Sequence, residues 1–287
     1  MISAQLPELE RAVLHGIGEP LLNRELPAMI HHLKGREMTV LFNTNGILLN
    51  ERMQEELIDS SLDELRISLD ASSPNGYKAM RDSDNFNLLI DNLRSFAGRL
   101  ESRRLSKPKL SLWFLGSKEN ITELPDLIDL ASVIGIGEVY LQRLVYFLDT
   151  EGYGVAKSHN TLTNPDVAVH ELIEQSQEQA RQLGIHFAAS GLSQPVDSVR
   201  GRDGDQTPWK GCMRPWGVIY ITAQGNVLPC CISPFSTADY SSLILGNVFE
   251  SSVADVWFGD KLAHFRRIHQ TSVPAKCCQG CGIFWSL

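Results

Sequence analysis

Through the first two thirds of the chain, short apolar runs alternate with longer amphipathic stretches, and the period of each run decides which element it predicts. Strands are expected over Arg11–His15, Met38–Asn43, Glu64–Asp70, Lys109–Leu115, Glu138–Tyr146 and Ile185–Ala189, where β-branched and aromatic residues gather. Between them, helices fit Arg24–Lys34, Glu51–Ser60, Asn85–Arg104, Ile121–Ser132 and Pro165–Leu183. In the third of these, Phe86, Leu89, Ile90, Leu93 and Phe96 recur at the spacing of one buried helical face. The first three strands end at His15, Asn43 and Asp70, 28 and 27 residues apart. Such a repeat leaves room for one crossover helix per strand, so the strands are expected to be parallel. Successive right-handed units then either close into an αβ barrel or open into a doubly wound sheet.

The periodicity fails over Ser190–Pro208, a stretch of Gly, Ser, Asp and Pro, and the domain boundary is placed there, giving domains 1–195 and 196–287. Phe147–Pro165 is a second polar, glycine-rich connection, which reads either as a loop over the ligand site or as a solvated crossover. The 287 residues are 43% hydrophobic with a mean hydropathy of −0.11, enough to bury a substantial core. With 26 basic against 34 acidic residues the net charge is −8, which argues against a nucleic-acid surface. No apolar run approaches a membrane span and Met1–Glu10 does not read as a signal peptide, so the expectation is a cytoplasmic protein with reduced thiols and no membrane partner.

All six cysteines lie between Cys212 and Cys281, and this bears most directly on function. Trp216–Thr222 is β-rich, Ala223-Gln224-Gly225-Asn226 is turn chemistry and Val227-Leu228-Pro229 leads back, so Cys212 and Cys230 are expected to flank a hairpin. Cys278-Gln279-Gly280-Cys281 is a C-x2-C turn, whose spacing lets two thiolates grip one centre. Four thiolates from a hairpin and a turn suit zinc or an iron-sulfur cluster, and spacing does not separate the two. A disulfide framework is disfavoured by the length of the chain and the confinement of its cysteines to one third. His264 and His269 precede the last cysteines and are further potential ligands.

In a parallel αβ sheet, ligands sit at the carboxyl ends of the strands. There the chain carries His15-Gly16-Ile17-Gly18-Glu19-Pro20, Asn43-Thr44-Asn45-Gly46 and Ser68-Leu69-Asp70. Gly16 and Gly18 let the backbone approach a ligand closely, and Glu19 adds a carboxylate suited to an ammonium group. Thr44 and Ser68 are hydroxyl donors at the same mouth, Asp70 either meets ligand or caps the next turn, and His15 reads as a packed strand-end residue.

Taken together, these loops resemble the radical S-adenosylmethionine (SAM) core. The tail, with Cys-x12-Gly-x4-Cys, then Pro-Cys-Cys, Gly246-Asn247-Val248 and Cys-x2-Cys, resembles the SPASM/Twitch module. The resemblance implies a partial TIM-like (β/α)6 barrel followed by a small Twitch domain of hairpin and helix. It implies that Gly16, Gly18, Glu19, Thr44 and Ser68 line the SAM site, with Gln142 and Leu144 near the adenosyl part. It further implies one auxiliary [4Fe-4S] cluster on Cys212, Cys230, Cys278 and Cys281, with Cys231 and Cys277 as packing neighbours. The implied reaction is reductive cleavage of SAM to a radical that abstracts hydrogen from a peptide or small-molecule substrate, with an electron-donor protein as partner.

One departure stands out. The family's Cys-x3-Cys-x2-Cys, which holds the SAM-cleaving cluster, precedes the glycine loop, whereas this sequence has no cysteine before Cys212. Truncation of a working enzyme, a degenerate member that serves as a scaffold with a structural zinc or iron-sulfur module, and supply of the segment by a partner are the three explanations. Truncation is favoured because the barrel loops are intact.

Overall fold

The computed structural model describes residues 2–144, 162, 165–190, 194–199, 207–237, 239–279 and 281. They form two compact units: one of residues 9–143 and 162–200, the other of residues 1–8, 144–161 and 201–287. The division at Arg200 falls inside the aperiodic stretch, slightly beyond the expected boundary.

The larger unit holds β1 (Arg11–Val13), β2 (Thr39–Thr44), β3 (Glu64–Ser68), β4 (Lys109–Gly116), β5 (Glu138–Arg143) and β6 (His186–Ala189) in one parallel sheet, in sequence order. The crossings are made by α1 (Leu26–Lys34), α2 (Glu51–Asp59), α3 (Pro74–Arg81), α4 (Phe86–Ser102), α5 (Leu124–Ile134) and α6 (Val167–Gln182). Because strand order never reverses, right-handed crossovers put every helix on one face, which selects the barrel alternative over the doubly wound one. The result is an α/β sheet of six parallel strands joined by five helical crossovers, with a half-buried inner face.

Burial follows from this arrangement. Val40, Phe42, Leu65, Ile67, Leu112, Phe114, Val139 and Leu141 point to the helices and are buried against the faces of α2, α4, α5 and α6. Alternate positions point inward, where Asn43 pairs with Arg66, Ser68 with Trp113, and Trp113 with Tyr140. These inward residues are only half-buried. The helices start where short polar side chains accept a first-turn N–H: Asn50 from Met53 (3.0 Å), Ser73 from Gly76 (3.1 Å) and Asp166 from Val169 (3.1 Å). Helix α3 escaped the periodicity reading because only Tyr77 of its eight residues is buried, leaving no apolar face to detect.

The smaller unit is built on β7 (Tyr220–Ile221), β8 (Asn226–Leu228) and β9 (Gly246–Asn247), an antiparallel sheet, with α7 (Arg214–Gly217), α8 (Val253–Trp257), α9 (Asp260–His269) and α10 (Lys276–Gln279). The expected strand from Trp216 is replaced at its start by α7, because Pro215 pre-sets helical φ in the first turn and only Tyr220–Ile221 pair with β8. The helical stretch before the last cysteines is divided into α8 and α9, with Gly259 as the N-cap of α9. The N-terminal segment belongs to this unit: Gln5 Oε1 accepts from Val253 N (2.7 Å), and Ile2 and Leu6 pack on the Val227, Val248, Val253 and Val256 cluster. No helix among the described residues is long and apolar enough to cross a membrane.

Candidate cofactor and cluster sites

The loop after β1 is clamped onto the end of β2 by one carboxylate. Glu19 Oε1 accepts from Leu21 N (3.1 Å) and from Thr44 Oγ1 (2.7 Å), while its Oε2 accepts from Asn45 N (2.8 Å). Thr44 is buried, and its oxygen in turn accepts from Gly46 N (3.0 Å). Its hydroxyl proton is therefore committed to Glu19, so Thr44 shapes the loop rather than presenting a donor to the mouth. Gly18 has a φ of +107°, strained for any other residue, and a Cβ there would meet nothing within 4 Å. The backbone at Gly18 thus lies beside open space, as a ligand approached by main-chain groups requires.

His15 is a structural strand-end residue. Its Nδ1 accepts from Asn43 N (3.1 Å), which leaves the ring proton on Nε2. Burial, reinforced by the Arg66 charge, lowers its pKa from 6.5 to about 4, so the ring is neutral at physiological pH. Asn43 Oδ1 is buried without a partner among the described residues. Asp70 is occupied by the protein: its Oδ1 accepts from Leu115 N (2.9 Å) and its Oδ2 pairs with Arg81. Burial still raises its pKa, with Arg81 opposing. Asp70 does not cap the turn that follows, since Ser73 is the N-cap of α3; it ties the end of β3 to β4 and to the last turn of α3.

Ser68 and Gln142 lie on the inner face, half-buried, and Leu144 follows β5. Between them is a wall that motif reading missed. Arg66 lies 4.2 Å over the Trp113 ring, Trp113 stacks on Tyr140 at 4.1 Å and 18°, and Trp113 Nε1 donates to Ser111 Oγ (3.1 Å). Glu64 holds Arg66 with both oxygens, at 2.7 and 3.1 Å. The available signal was the period-two alternation of these residues with buried aliphatics, which marks the inward row without saying what it contacts. The expected loop over 147–165 lies almost wholly outside the described residues.

In the smaller unit, Cys212 follows a 3-10 turn at Pro208–Gly211, Cys230 follows β8, and Cys278 and Cys281 bracket the end of α10. Gly225, the glycine of Cys-x12-Gly-x4-Cys, has a φ of +82°, and a Cβ would come within 2.6 Å of the Phe249 ring and 2.7 Å of Asn247 Oδ1. The motif glycine is thus required twice over, by turn geometry and by close packing. Cys230 is half-buried, and desolvation of its thiol, with the neighbouring Cys231 and Cys277, pushes its pKa up to about 12. Cys278 is raised in the same way, first by its contact with Cys277, whose sulfur lies 4.0 Å away, then by burial, with Cys230 and Cys281 adding. The thiols of Cys230, Cys277, Cys278 and Cys281 therefore sense one another, while Cys212 is tied to His269, whose Nε2 lies 3.2 Å from the Cys212 carbonyl oxygen.

Among the described residues no three metal-ligating side chains stand in binding geometry. The donor chemistry nonetheless fits a soft metal centre. Buried neighbouring thiols resist ionisation unless a cation supplies the compensating charge. Cys277 also lines a cavity of about 700 Å³ whose wall includes Leu243, Leu245 and Phe265, with Asp239 and Lys276.

A single-face parallel (β/α)6 sheet with a glycine-carboxylate loop at its mouth, carried with a thiol-rich β unit, defines a class. Residues 4–131 match the radical SAM superfamily, and residues 212–282 match SPASM, an iron-sulfur cluster-binding domain. The chain thus carries a segment matching the radical SAM domain and one matching the SPASM domain. Its relatives include the PqqA peptide cyclase of Granulibacter bethesdensis, 25% identical over 275 residues, covering 92% of this chain and 64% of that protein. A second is the tungsten-containing aldehyde ferredoxin oxidoreductase cofactor-modifying protein of Pyrococcus furiosus, 21% identical, covering 95% and 74%. Among solved structures, Streptococcus suis SuiB superposes with a TM-score of 0.67 at 18% identity, covering 93% of this chain and 60% of that one. The complex of SuiB with its precursor peptide SuiA gives 0.63 at 16%, covering 93% and 58%. The chain spans less than two thirds of the length of the Granulibacter bethesdensis peptide cyclase and of SuiB.

Proposed function

We propose that this chain is the barrel and auxiliary-cluster portion of a radical SAM enzyme that modifies a peptide. The observation that carries the reading is the Glu19 clamp, which fixes a loop whose Gly18 backbone lies beside open space at the carboxyl ends of parallel strands. In this reading Gly16, Gly18 and Glu19 form the cradle for the methionine end of SAM. Thr44 holds the cradle rigid, and Ser68 and Gln142 face the adenosyl side from the inner sheet. Cys212, Cys230, Cys278 and Cys281 hold the auxiliary [4Fe-4S] cluster, which when bound supplies one-electron chemistry.

The peptide substrate is supported by the peptide cyclase relatives and by the SuiB complex with a precursor peptide. The half-open inner face suits it, since Arg66, Trp113 and Tyr140 give a rigid wall against which a chain can be oriented and water excluded. Reductive chemistry also needs an electron source, so an electron-donor protein is the second partner in this reading, and six cysteines read as thiols support a cytoplasmic setting.

Equilibrium dialysis of labelled SAM against the anaerobically purified chain tests the cradle. Binding is expected, with affinity falling about tenfold or more in Glu19→Ala, because loss of the clamp releases two loops from one geometry. No binding by the native chain, or equal binding by the variant, rejects the assignment.

A further inference from the structure

We propose that His269 is a positioning residue for the auxiliary cluster, fixing the first ligand, Cys212, through its backbone; this rests on Cys212 being a ligand. The imidazole is 1% exposed and closes α9. Its Nε2 lies 3.2 Å from the Cys212 carbonyl oxygen. A carbonyl only accepts, so the ring proton resides on Nε2 and is donated there. Nδ1 is then a bare acceptor, and it is buried without a partner among the described residues. A structural filler of this site would have no reason to be imidazole, since an apolar ring would remove that unsatisfied atom. What imidazole adds is a directed N–H, aimed at the Cys212 carbonyl, with the Trp209 backbone of the same turn as a second partner of the ring.

The surroundings make that N–H rigid. Phe265 stacks on the His269 ring (6.0 Å, 27°) and Trp216 meets it at 5.5 Å and 66°. Arg266 donates through Nε to the Pro215 carbonyl (2.8 Å) and through Nη1 to the Trp257 carbonyl (3.0 Å), so α9 is fastened to α7 on the same side. Trp209 Nε1 donates to the Thr271 carbonyl (3.3 Å), closing the turn that carries Cys212 onto the end of α9. Cys212 follows a 3-10 turn and lies outside the hairpin, so the sheet does not set its backbone. The His269 bond supplies the constraint that the hairpin and α10 give to Cys230, Cys278 and Cys281. Outer groups that orient metal ligands in this way are worth about 10- to 100-fold in metal retention.

The test compares the native chain with His269→Phe, His269→Gln and Cys212→Ala after anaerobic reconstitution with iron and sulfide. It reads iron content, cluster lifetime against a chelator, reduction potential by electron paramagnetic resonance, and melting of the metal-free protein. His269→Phe keeps the ring and loses the donor. Its metal-free melting is expected to match the native chain, its cluster lifetime to fall about tenfold and its potential to shift. His269→Gln places an amide N–H near the Nε2 position and is expected to restore lifetime to within about threefold, as a retained outer-shell donor should. Native lifetime and potential in His269→Phe overturn the proposal, as does an equal loss in both His269 variants accompanied by lowered metal-free melting. If Cys212→Ala retains a native cluster, the ligand assignment itself fails, an outcome separable from failure of the His269 bond.

Discussion

Glu19 and His15 show how single residues acquire their roles from their neighbours. A carboxylate in a glycine loop reads as a ligand group, yet in the folded chain its two oxygens accept three protein donors. Any contribution to SAM binding is made with the lone pairs that remain and through the loop geometry it enforces. His15 carries a pH consequence. Its pKa falls from 6.5 to about 4 on folding, so between those values the unfolded chain holds a proton that the native chain lacks. Stability from this residue is present above about pH 6.5 and is lost as pH falls toward 4. After discounting for partial exposure the loss is on the order of 1–2 kcal/mol. In His15→Asn the amide oxygen replaces Nδ1 as acceptor for the Asn43 N–H, so urea unfolding at pH 4.5 and 7.5 should differ by that much less than in the native chain. An unchanged pH dependence would show that His15 does not titrate as described.

At the level of elements, two short devices set the thiol geometry. The β7–β8 hairpin turns at Gly225, where a positive φ coincides with contact against Phe249 and Asn247. Gly225→Ala adds a methyl group into that contact and strains the turn, with an expected cost of about 2–3 kcal/mol. The same change should lower iron content after reconstitution, because Cys230 lies just beyond the hairpin. Thermal melting together with iron analysis checks both, and native values in each would mean that the turn has an easy alternative. The second device is α10, which presents Cys277 inward to the small core and Cys278 beside it. The parallel sheet behaves differently. Its inner row, Arg66, Trp113 and Tyr140, is a stack across three neighbouring strands, so it exists only because β3, β4 and β5 pair in one register.

For the whole molecule, the prediction concerns what these residues do without further thiolates. Cleavage of SAM requires a cluster with an open iron held by three cysteines, and the larger unit of this chain contains no cysteine. The 287-residue chain alone, reduced anaerobically with SAM, is expected to form no 5′-deoxyadenosine above background, as measured by chromatography. Turnover by this chain with only its own clusters would defeat that expectation. The smaller unit should still load iron, since all six cysteines lie within it.

The sequence by itself determined the βα repeat, the parallel pairing and the class of chemistry at the tail. These depend on period and on local residue type: apolar runs at a repeating interval, a glycine where φ must be positive, cysteines at chelating spacing. It left α3 invisible because that helix buries a single side chain, and it began the β7 strand at Trp216, where the helical turn α7 forms instead. Only the tertiary structure decided that Glu19 binds Thr44, that Asp70 belongs to Arg81 and Leu115, and that Ile2–Leu6 pack on the cysteine-bearing unit. It alone directed His269 to the Cys212 carbonyl. Each of these contacts joins residues distant in sequence, and spacing along a chain carries no information about which buried donor will meet which acceptor. That choice is made when burial removes water and every polar group must find a partner within the protein.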